Sequence, residues 1–249
     1  VDEAANKEYE VDLNATKIQL ELLFSDSEYI SNLNTINSNI QVIVDPIGHL
    51  AATGNWFETT NNAVVLSNQI TVNTTTYQNA GASIVQQLAY GLAHLNEYFN
   101  DKTNNSAELK KVYFNTAVGT NYFFEIAKLR ALRSLYNTLA AEYNCQAQLI
   151  INAIPTKRNK TIYDYNTNML RTTTECMSAI LGGANTVFNL PYDAIYHKDN
   201  EFGERIARNQ LLILKNESYF DAVNNASDGS YYIETLTTQL AEKALILFK

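Results

Sequence analysis

Two patterns of apolar residues alternate along the chain. Short continuous runs rich in Val, Ile and Leu predict strands that are buried on both faces, as in parallel sheets. Longer segments, in which apolar residues recur every three or four positions, predict amphipathic helices. The predicted strands are 17–24, 40–48, 63–73, 111–119, 146–155 and 184–191, and the predicted helices are 80–100, 121–143, 166–181, 201–218 and 235–248.

The alternation of strands and helices, without hairpin signals, predicts an α/β fold in which helical crossovers connect parallel strands. About six strand–helix units can be counted, which is two fewer than a closed (β/α)8 barrel contains. Two interpretations stay open at this point: a barrel that lacks its first two units, or an open doubly wound sheet. No low-complexity linker divides residues 1–249, so a single domain is predicted.

Composition excludes several classes of partner. The chain has 249 residues, a net charge of −8 and no block of Lys or Arg, which argues against nucleic acid or an acidic membrane surface. No apolar run reaches the ~20 residues that span a bilayer. Cys145 and Cys176 lack metal-ligand spacing, so two reduced thiols and a cytoplasmic location are expected. The chain opens with Val1, and we expect a segment of a longer protein.

The polar residues offer no convincing active site by themselves. The stretch Val72 to Ala82 (VNTTTYQNAGA) joins a predicted strand to a predicted helix, where α/β folds often place chemistry, yet it holds no acid or base. His49 follows a predicted strand end, and Asp45 could point into a barrel mouth or belong to an Asp-Pro turn. The remaining candidates have ordinary structural explanations: His94 and His197, the solvated helix residues Arg205 and Arg208, and the helix-ending pair Gly182 and Gly183.

The last third of the chain carries a specific resemblance. It reads NMLRTTTECMSAILGGANTVFNLPYDA, then EFGERIARNQLLILKNES, then DGSYYIETLTTQLAEKA. Together with the upstream stretches DPIGHLAATG, NAGA and NYFFEIAKLRALR, this resembles the methylmalonyl-CoA mutase family from about Gln41 onward. The resemblance implies a TIM-type (β/α)8 barrel, incomplete in this chain, with part of the barrel preceding Val1.

In that family the barrel encloses a coenzyme A ester, and a separate domain with a D-x-H-x-x-G motif carries cobalamin. This motif is not present in the sequence. The resemblance therefore implies that this chain has no cobalamin-binding domain and binds no cofactor itself. Adenosylcobalamin would be held by the catalytic large subunit, with which a small subunit of this family forms a heterodimer.

Residues that serve catalysis in the family are replaced here. The matching positions imply that a substrate-polarising histidine is replaced by Thr76, the tyrosine before it by Thr75, a glutamate by Asn79, and a glutamate near the adenosyl group by Ala194. Groups that grip the coenzyme A ester are replaced at a second set of positions. That set comprises Lys111, Tyr113, Ile150, Asn152 and Ile154, whereas Asp193 is retained.

These replacements predict a structural, non-catalytic small subunit of a cobalamin-dependent mutase. Because a threonine hydroxyl is a weaker donor to a developing oxyanion than an imidazole, the preorganised site is expected to be lost. Two alternatives stay open: an active acyl-CoA mutase barrel with an altered substrate, in which Thr76, Asp193 or His49 would substitute, and a binding or chaperone module for the mutase. Open sheet edges also make a homodimer of the isolated segment plausible.

Overall fold

The structure is a computed structural model, and it describes residues 45–55, 69–100, 109–197 and 200–249. This part of the chain contains seven helices and one four-stranded sheet. In chain order the elements are α1 Pro46–Thr53, β1 Gln69–Asn73, α2 Thr75–Asn79, α3 Ile84–Asn100, β2 Lys111–Val118, α4 Tyr122–Glu142, β3 Gln148–Pro155, α5 Thr167–Leu181, β4 Thr186–Val187, α6 Glu201–Asn216 and α7 Tyr231–Phe248.

The sheet is parallel, and its strand order β1-β2-β3-β4 follows the chain order. Crossovers between neighbouring parallel strands are right-handed, so a sequential order places the connecting helices α3, α4 and α5 on the same face. A doubly wound sheet would instead reverse its strand order and carry helices on both faces. The arrangement is consistent with consecutive units of a TIM-type barrel.

The apolar core lies between the sheet and these helices. Val72, Phe114 and Ile151 lie side by side on β1, β2 and β3. They are fully buried and belong to the core cluster. On the helix side, α3 and α4 supply leucines that are also almost completely buried, including Leu92 and Leu129. Helix α3 approaches the sheet closely at Gly91, where an added Cβ would lie 2.9 Å from Thr74 Cγ2.

Helix α7 forms an additional layer outside α3 and α4, which it contacts along its length. Leu240 and Ala244, one turn apart, are buried in the core cluster. Arg130 on α4 holds the N-terminal end of this helix in place. Its Nη2 donates to Glu234 Oε1 in the first turn at 2.5 Å, and its Nη1 donates to Asn225 Oδ1, before the helix, at 2.7 Å. The last predicted helix is therefore part of the core.

The apolar stretch 40–48 contains the strand-stopping residues Asp45, Pro46 and Gly48, and the chain is helical from Pro46, because Asp45 caps the N-terminus of α1 and proline suits its first turn. The predicted strand 184–191 was too long and is reduced to Thr186–Val187. The predicted strand 17–24, together with residues 40–44 and 63–68 of two further predicted strands, lies outside the described residues.

The remaining predicted strands and helices correspond to observed elements, whereas the short helix α2 was not predicted. The glycine pair ends α5 as expected: Gly182 is its C-cap, and Gly183 has φ +80°, which favours glycine. Asp228-Gly229, a dipeptide that is typical of turns, lies in a turn before α7. The described ranges contain no helix that is both long and apolar enough to span a bilayer.

We predict that Leu240→Ala destabilises the protein by about 2–5 kcal/mol, because it removes a buried side chain from the layer between α7 and the helices beneath it. The matched control is Ile246→Ala on the same helix, whose side chain is 76% exposed and should change the free energy of unfolding by less than about 0.5 kcal/mol. Urea denaturation followed by circular dichroism measures both. Equal losses in the two variants would contradict the placement of α7.

Candidate functional site at the carboxyl edge of the sheet

The face of the sheet opposite the helices carries the residues predicted to replace the substrate-binding groups. In register, Thr71, Tyr113 and Ile150 form one row across β1, β2 and β3. Tyr113 is 1% exposed, and its hydroxyl makes no hydrogen bond to any described residue. An aromatic ring and an aliphatic side chain therefore occupy the middle of this face.

The next row toward the carboxyl edge consists of amides. Asn73, Asn115 and Asn152 lie opposite one another, and Thr186 continues the row on β4. Asn152 Nδ2 donates to Asn115 Oδ1 at 2.9 Å, and both residues are buried. Amides are neutral at all ordinary pH values, so this row can form hydrogen bonds but cannot transfer a proton at neutral pH.

The remaining two substrate-site positions lie at opposite ends of this face. Ile154 pairs with Ala117 one row beyond the amides, so the carboxyl end of the face is apolar. Lys111 is the first residue of β2 and is exposed, opposite Gln69 and Gln148 at the amino edge of the sheet. The structure therefore brings Tyr113, Ile150, Asn152 and Ile154 together and separates Lys111 from them.

The predicted junction between strand and helix is confirmed at the end of β1. Thr75 and Thr76 begin the short helix α2 and are half-buried, whereas Asn79 ends it and is exposed. Asn73 Oδ1 accepts from the backbone N–H of Thr75 at 3.1 Å and from its hydroxyl at 2.5 Å. The Thr75 hydroxyl thus serves a local turn, as threonine and asparagine side chains do in such turns.

Gln78, on the same short helix, was not singled out by sequence reasoning. Its side chain is buried and accepts at Oε1 from the Thr156 hydroxyl at 2.6 Å. Arg158 Nη1 also donates to the Gln78 carbonyl at 3.3 Å. The segment after β1 is therefore bonded directly to the segment after β3.

Two buried lysine–glutamate pairs lie behind the carboxyl edge. Lys128 on α4 forms an ion pair with Glu125 one turn earlier, and its ammonium donates to the Ala117 carbonyl at 2.6 Å and to Gln87 Oε1 at 3.2 Å. These bonds connect α4 to the end of β2 and to α3. A buried lysine is accommodated here because its ammonium has two hydrogen-bond acceptors and the opposite charge of Glu125 beside it.

The second pair joins Lys160 to Glu175 on α5, with Nζ 2.6 Å from Oε2 and both side chains almost fully buried. Burial raises the pKa of the Glu175 carboxyl, and the Lys160 ammonium opposes that shift. Burial likewise lowers the pKa of Lys160, against the opposing charge of Glu175. Each group would resist ionisation alone, and the charged forms stabilise each other.

Asp45 is a structural hub. Its carboxylate accepts from the backbone N–H groups of Gly48 at 2.8 Å and Asn73 at 2.7 Å. It also accepts from Tyr98 Oη at 2.7 Å and lies 2.9 Å from His94 Nε2. Asp45 thus connects α1, β1 and α3. The aspartate that could have faced a barrel mouth has its acceptor capacity used by these structural bonds.

His94 is buried behind α2 and does not face the amide row. Because Asp45 is an acceptor, the network assigns the proton to His94 Nε2, and Nδ1 then accepts from Tyr77 Oη at 3.1 Å. Burial and the charge of Asp45 raise the pKa of Tyr77, so its hydroxyl stays protonated. The spacing of His94 and Tyr98, one helical turn apart, was the sequence signal that could have revealed this cluster.

The other histidines lie away from the amide row. His49 was predicted to follow a strand end, but it is a half-buried residue of α1 whose Nδ1 contacts the Asn55 carbonyl at 3.1 Å. His197 is exposed, and its Nδ1 lies 3.2 Å from Asp193 Oδ2. Neither is placed to polarise a ligand at the ends of β1, β2 and β3.

Asp193 and Ala194 lie in the turn between β4 and α6. Asp193 is buried, accepts from Asn200 Nδ2 and packs against Gly203, where an added Cβ would collide with Asp193 Oδ1. The retained aspartate therefore positions the start of α6. Ala194 beside it is half-buried and brings no polar group to this turn.

Within the described ranges, no three His, Cys, Asp or Glu side chains come together as metal ligands would. Cys145 and Cys176 are both buried and unpaired with each other. Burial raises the pKa of Cys176 to about 12, so it stays a thiol at neutral pH.

This geometry can be compared with known proteins. The family model described as methylmalonyl-CoA mutase matches residues 32–249. The chain belongs to the methylmalonyl-CoA mutase family. The match begins before the first described residue and runs through the whole of the parallel sheet and α7.

Individual relatives agree with this assignment. The methylmalonyl-CoA mutase small subunit of Porphyromonas gingivalis is 42% identical over 188 residues, which is 72% of this chain and 30% of that protein. A methylmalonyl-CoA mutase of Rhizobium meliloti is 35% identical over 71% of this chain and 26% of that protein. The small subunit of Streptomyces virginiae is 34% identical over 82% of this chain and 36% of that protein. The chain thus spans about a third or less of these three relatives.

We predict that Lys160→Met destabilises the protein by about 3–5 kcal/mol, because it leaves the Glu175 carboxylate buried without its cation. Adding Glu175→Gln should recover at least half of this loss, since a neutral pair carries no buried charge. A double-mutant cycle measured by urea denaturation gives the coupling between the two positions.

The single variant should also become less destabilised as the pH falls. A carboxyl whose folded-state pKa is raised binds more protons when folded than when unfolded, so its stability rises as the pH falls through that interval. We expect a smaller difference from the wild type at pH 5.5 than at pH 8. A pH-independent difference would contradict the assignment.

Proposed function

We propose that this chain is the barrel-domain part of a small subunit of adenosylcobalamin-dependent methylmalonyl-CoA mutase and is itself structural and non-catalytic. The sheet would be part of a (β/α)8 barrel that residues outside this chain complete. The complex would interconvert succinyl-CoA and methylmalonyl-CoA in the cytoplasm. Its catalytic large subunit would hold adenosylcobalamin and the acyl-CoA, and this chain would bind that subunit as a heterodimer.

The observation that carries this proposal is the composition of the sheet face opposite the helices. Tyr113 and Ile150 occupy one row, and the next row consists of neutral amides. Acyl-thioester chemistry needs preorganised donors or charges that become stronger partners as an oxyanion develops. Ile150 supplies no donor, and the Asn152 amide, which could act as one, is already bonded to Asn115 Oδ1.

The described residues also do not fit a coenzyme A ester. The Tyr113 ring is buried at the centre of this face, and the cations Lys128 and Lys160 are already neutralised by internal glutamates. An anionic ligand would have to displace Glu125 or Glu175 from these cations. For this reason we assign no catalytic step to this chain.

The similarity to proteins named small subunits supports a partner. A small subunit implies a large one, and the relatives from Porphyromonas gingivalis and Streptomyces virginiae carry that name. A scaffold that binds a catalytic chain stabilises it by mass action without contacting substrate. The contribution of this chain to the complex would then be its fold, which the core of β1, β2, β3 and their helices provides.

We predict that the chain, titrated with methylmalonyl-CoA or succinyl-CoA, shows no binding at micromolar concentrations, because the carboxyl end of the described sheet face carries no charged side chain and the buried Lys128 and Lys160 are paired with glutamates. Isothermal titration calorimetry measures this, with the catalytic large subunit as the positive control. Saturable binding with a Kd in the micromolar range would favour the alternative of an active barrel with a changed substrate.

We predict that co-expression of the full small subunit with a large subunit of the same organism yields a stable one-to-one complex on size-exclusion chromatography with light scattering. The chain alone is examined in the same experiment, which reports whether it forms a homodimer. Transient association that does not survive dilution would instead support a chaperone module.

A further inference from the structure

Residues 156–161 follow β3 and contact the segment that follows β1. Thr156 bonds to the Gln78 side chain, and Arg158 bonds to the Gln78 carbonyl. Gln78 follows β1, whereas Thr156 follows β3, and β2 lies between these strands in the sheet. The two segments therefore meet above the carboxyl end of β2.

The residue after β2 also lies against the Gln78 side chain. Gly119 follows β2, and an added Cβ there would lie 4.0 Å from Gln78 Nε2 and 3.2 Å from Glu125 Oε1. The Gln78 amide is thus packed over the strand end. In (β/α) folds, the carboxyl ends of the strands are where ligands bind, so this contact covers the place where a ligand would enter.

The other half of the segment is held by one face of α5. Asn168, Arg171 and Glu175 are spaced by three and four residues, so they lie on the same side of the helix. Arg171 Nη1 donates to the Asn159 carbonyl, and the Asn159 amide donates to Glu175 Oε1 at 2.5 Å. Three side chains of α5 therefore face the segment.

The Asn168 side chain bonds both backbone groups of Thr161, as a neighbouring strand would. Its Oδ1 accepts from the Thr161 backbone N–H at 3.0 Å, and its Nδ2 donates to the Thr161 carbonyl at 2.8 Å. Nδ2 also donates to the Tyr192 carbonyl at 3.0 Å, which connects the segment after β4. Asn168 is completely buried, so both backbone groups of Thr161 are satisfied without water.

The charged contact within this set is the buried pair Lys160–Glu175. Buried ion pairs contribute little net stability compared with apolar residues of the same volume, but breaking one is costly. The main effect of such a pair is to favour one position of the segment over others, and its net contribution to stability is small. The Gln78 contacts hold the other end of the segment, at Thr156 and Arg158.

We propose that residues 156–161 form a strap that closes the carboxyl edge of the sheet over β2 and β3, latched on one side by Gln78 and on the other by the Lys160–Glu175 pair. This inference rests on the proposed function, since a permanently closed edge suits a chain that does not take up substrate. The hydrogen bonds and the ion pair of the strap are all made within the chain, so no ligand is needed to hold it in place.

Limited trypsin digestion of the full chain tests the strap directly, because Lys157, Arg158 and Lys160 are cleavage sites within it and the first two are exposed. Gln78→Ala removes one latch, and Glu175→Gln weakens the other. The matched control is Gln148→Ala, an exposed glutamine at the amino edge, where β3 begins. Mass spectrometry assigns each cut, so cleavage elsewhere in the chain does not interfere.

We expect cleavage after residues 157, 158 or 160 to be at least about tenfold faster in both latch variants than in the wild type and the control, because proteolysis follows local opening. Hydrogen exchange at the Thr161 amide should increase by a similar factor. The circular dichroism spectrum of each variant shows whether it is folded. If Glu175→Gln prevents folding, the Gln78→Ala variant still provides the test.

Wild-type cleavage rates at these sites in folded latch variants would overturn the proposal, as would rapid cleavage of the wild type itself. Neither measurement involves a coenzyme A ester. Failure of the strap is therefore distinguishable from failure of the proposed function, which the acyl-CoA titration of the wild type decides.

Discussion

Parallel pairing of β1, β2 and β3 in one register determines which side chains meet in this protein. Because side chains alternate along a strand, the pairing sends Val72, Phe114 and Ile151 into the helix-covered core. The same pairing places Asn73 and Asn115 with Asn152 on the opposite face. A shift of one residue in any strand would exchange the two faces, so burial of the apolar set fixes the position of the polar set.

The polar groups at the carboxyl edge are arranged for one another. Lys128 is neutralised by Glu125, Lys160 is neutralised by Glu175, and Gln78 is bonded to the segment after β3. An enzyme active site leaves donors or charges available for the transition state. Here Lys128, Lys160 and Gln78 are bonded to internal partners, and the charges of the two lysines are compensated at a low local dielectric.

The relation to the methylmalonyl-CoA mutase family differs between the fold elements and the site positions. The elements that build the sheet and its helices match over residues 32–249, whereas Thr76, Tyr113 and Ile150 stand where the resemblance places catalytic or substrate-binding residues. Packing constrains core positions through volume and polarity, and a barrel can keep them after its chemistry is lost. Under the proposed function, this chain would keep the fold of the family without its activity.

The sequence by itself determined the parallel α/β organisation, since continuous apolar runs and helical periodicity do not depend on distant contacts. It also placed Thr75 and Thr76 at a strand–helix junction. Only the tertiary structure decided that Asp45 bonds His94 from 49 residues away and that Gln78 meets Thr156 across 78 residues. Such contacts join groups that carry no shared local pattern, and they form only when the sheet brings the strand ends to one edge.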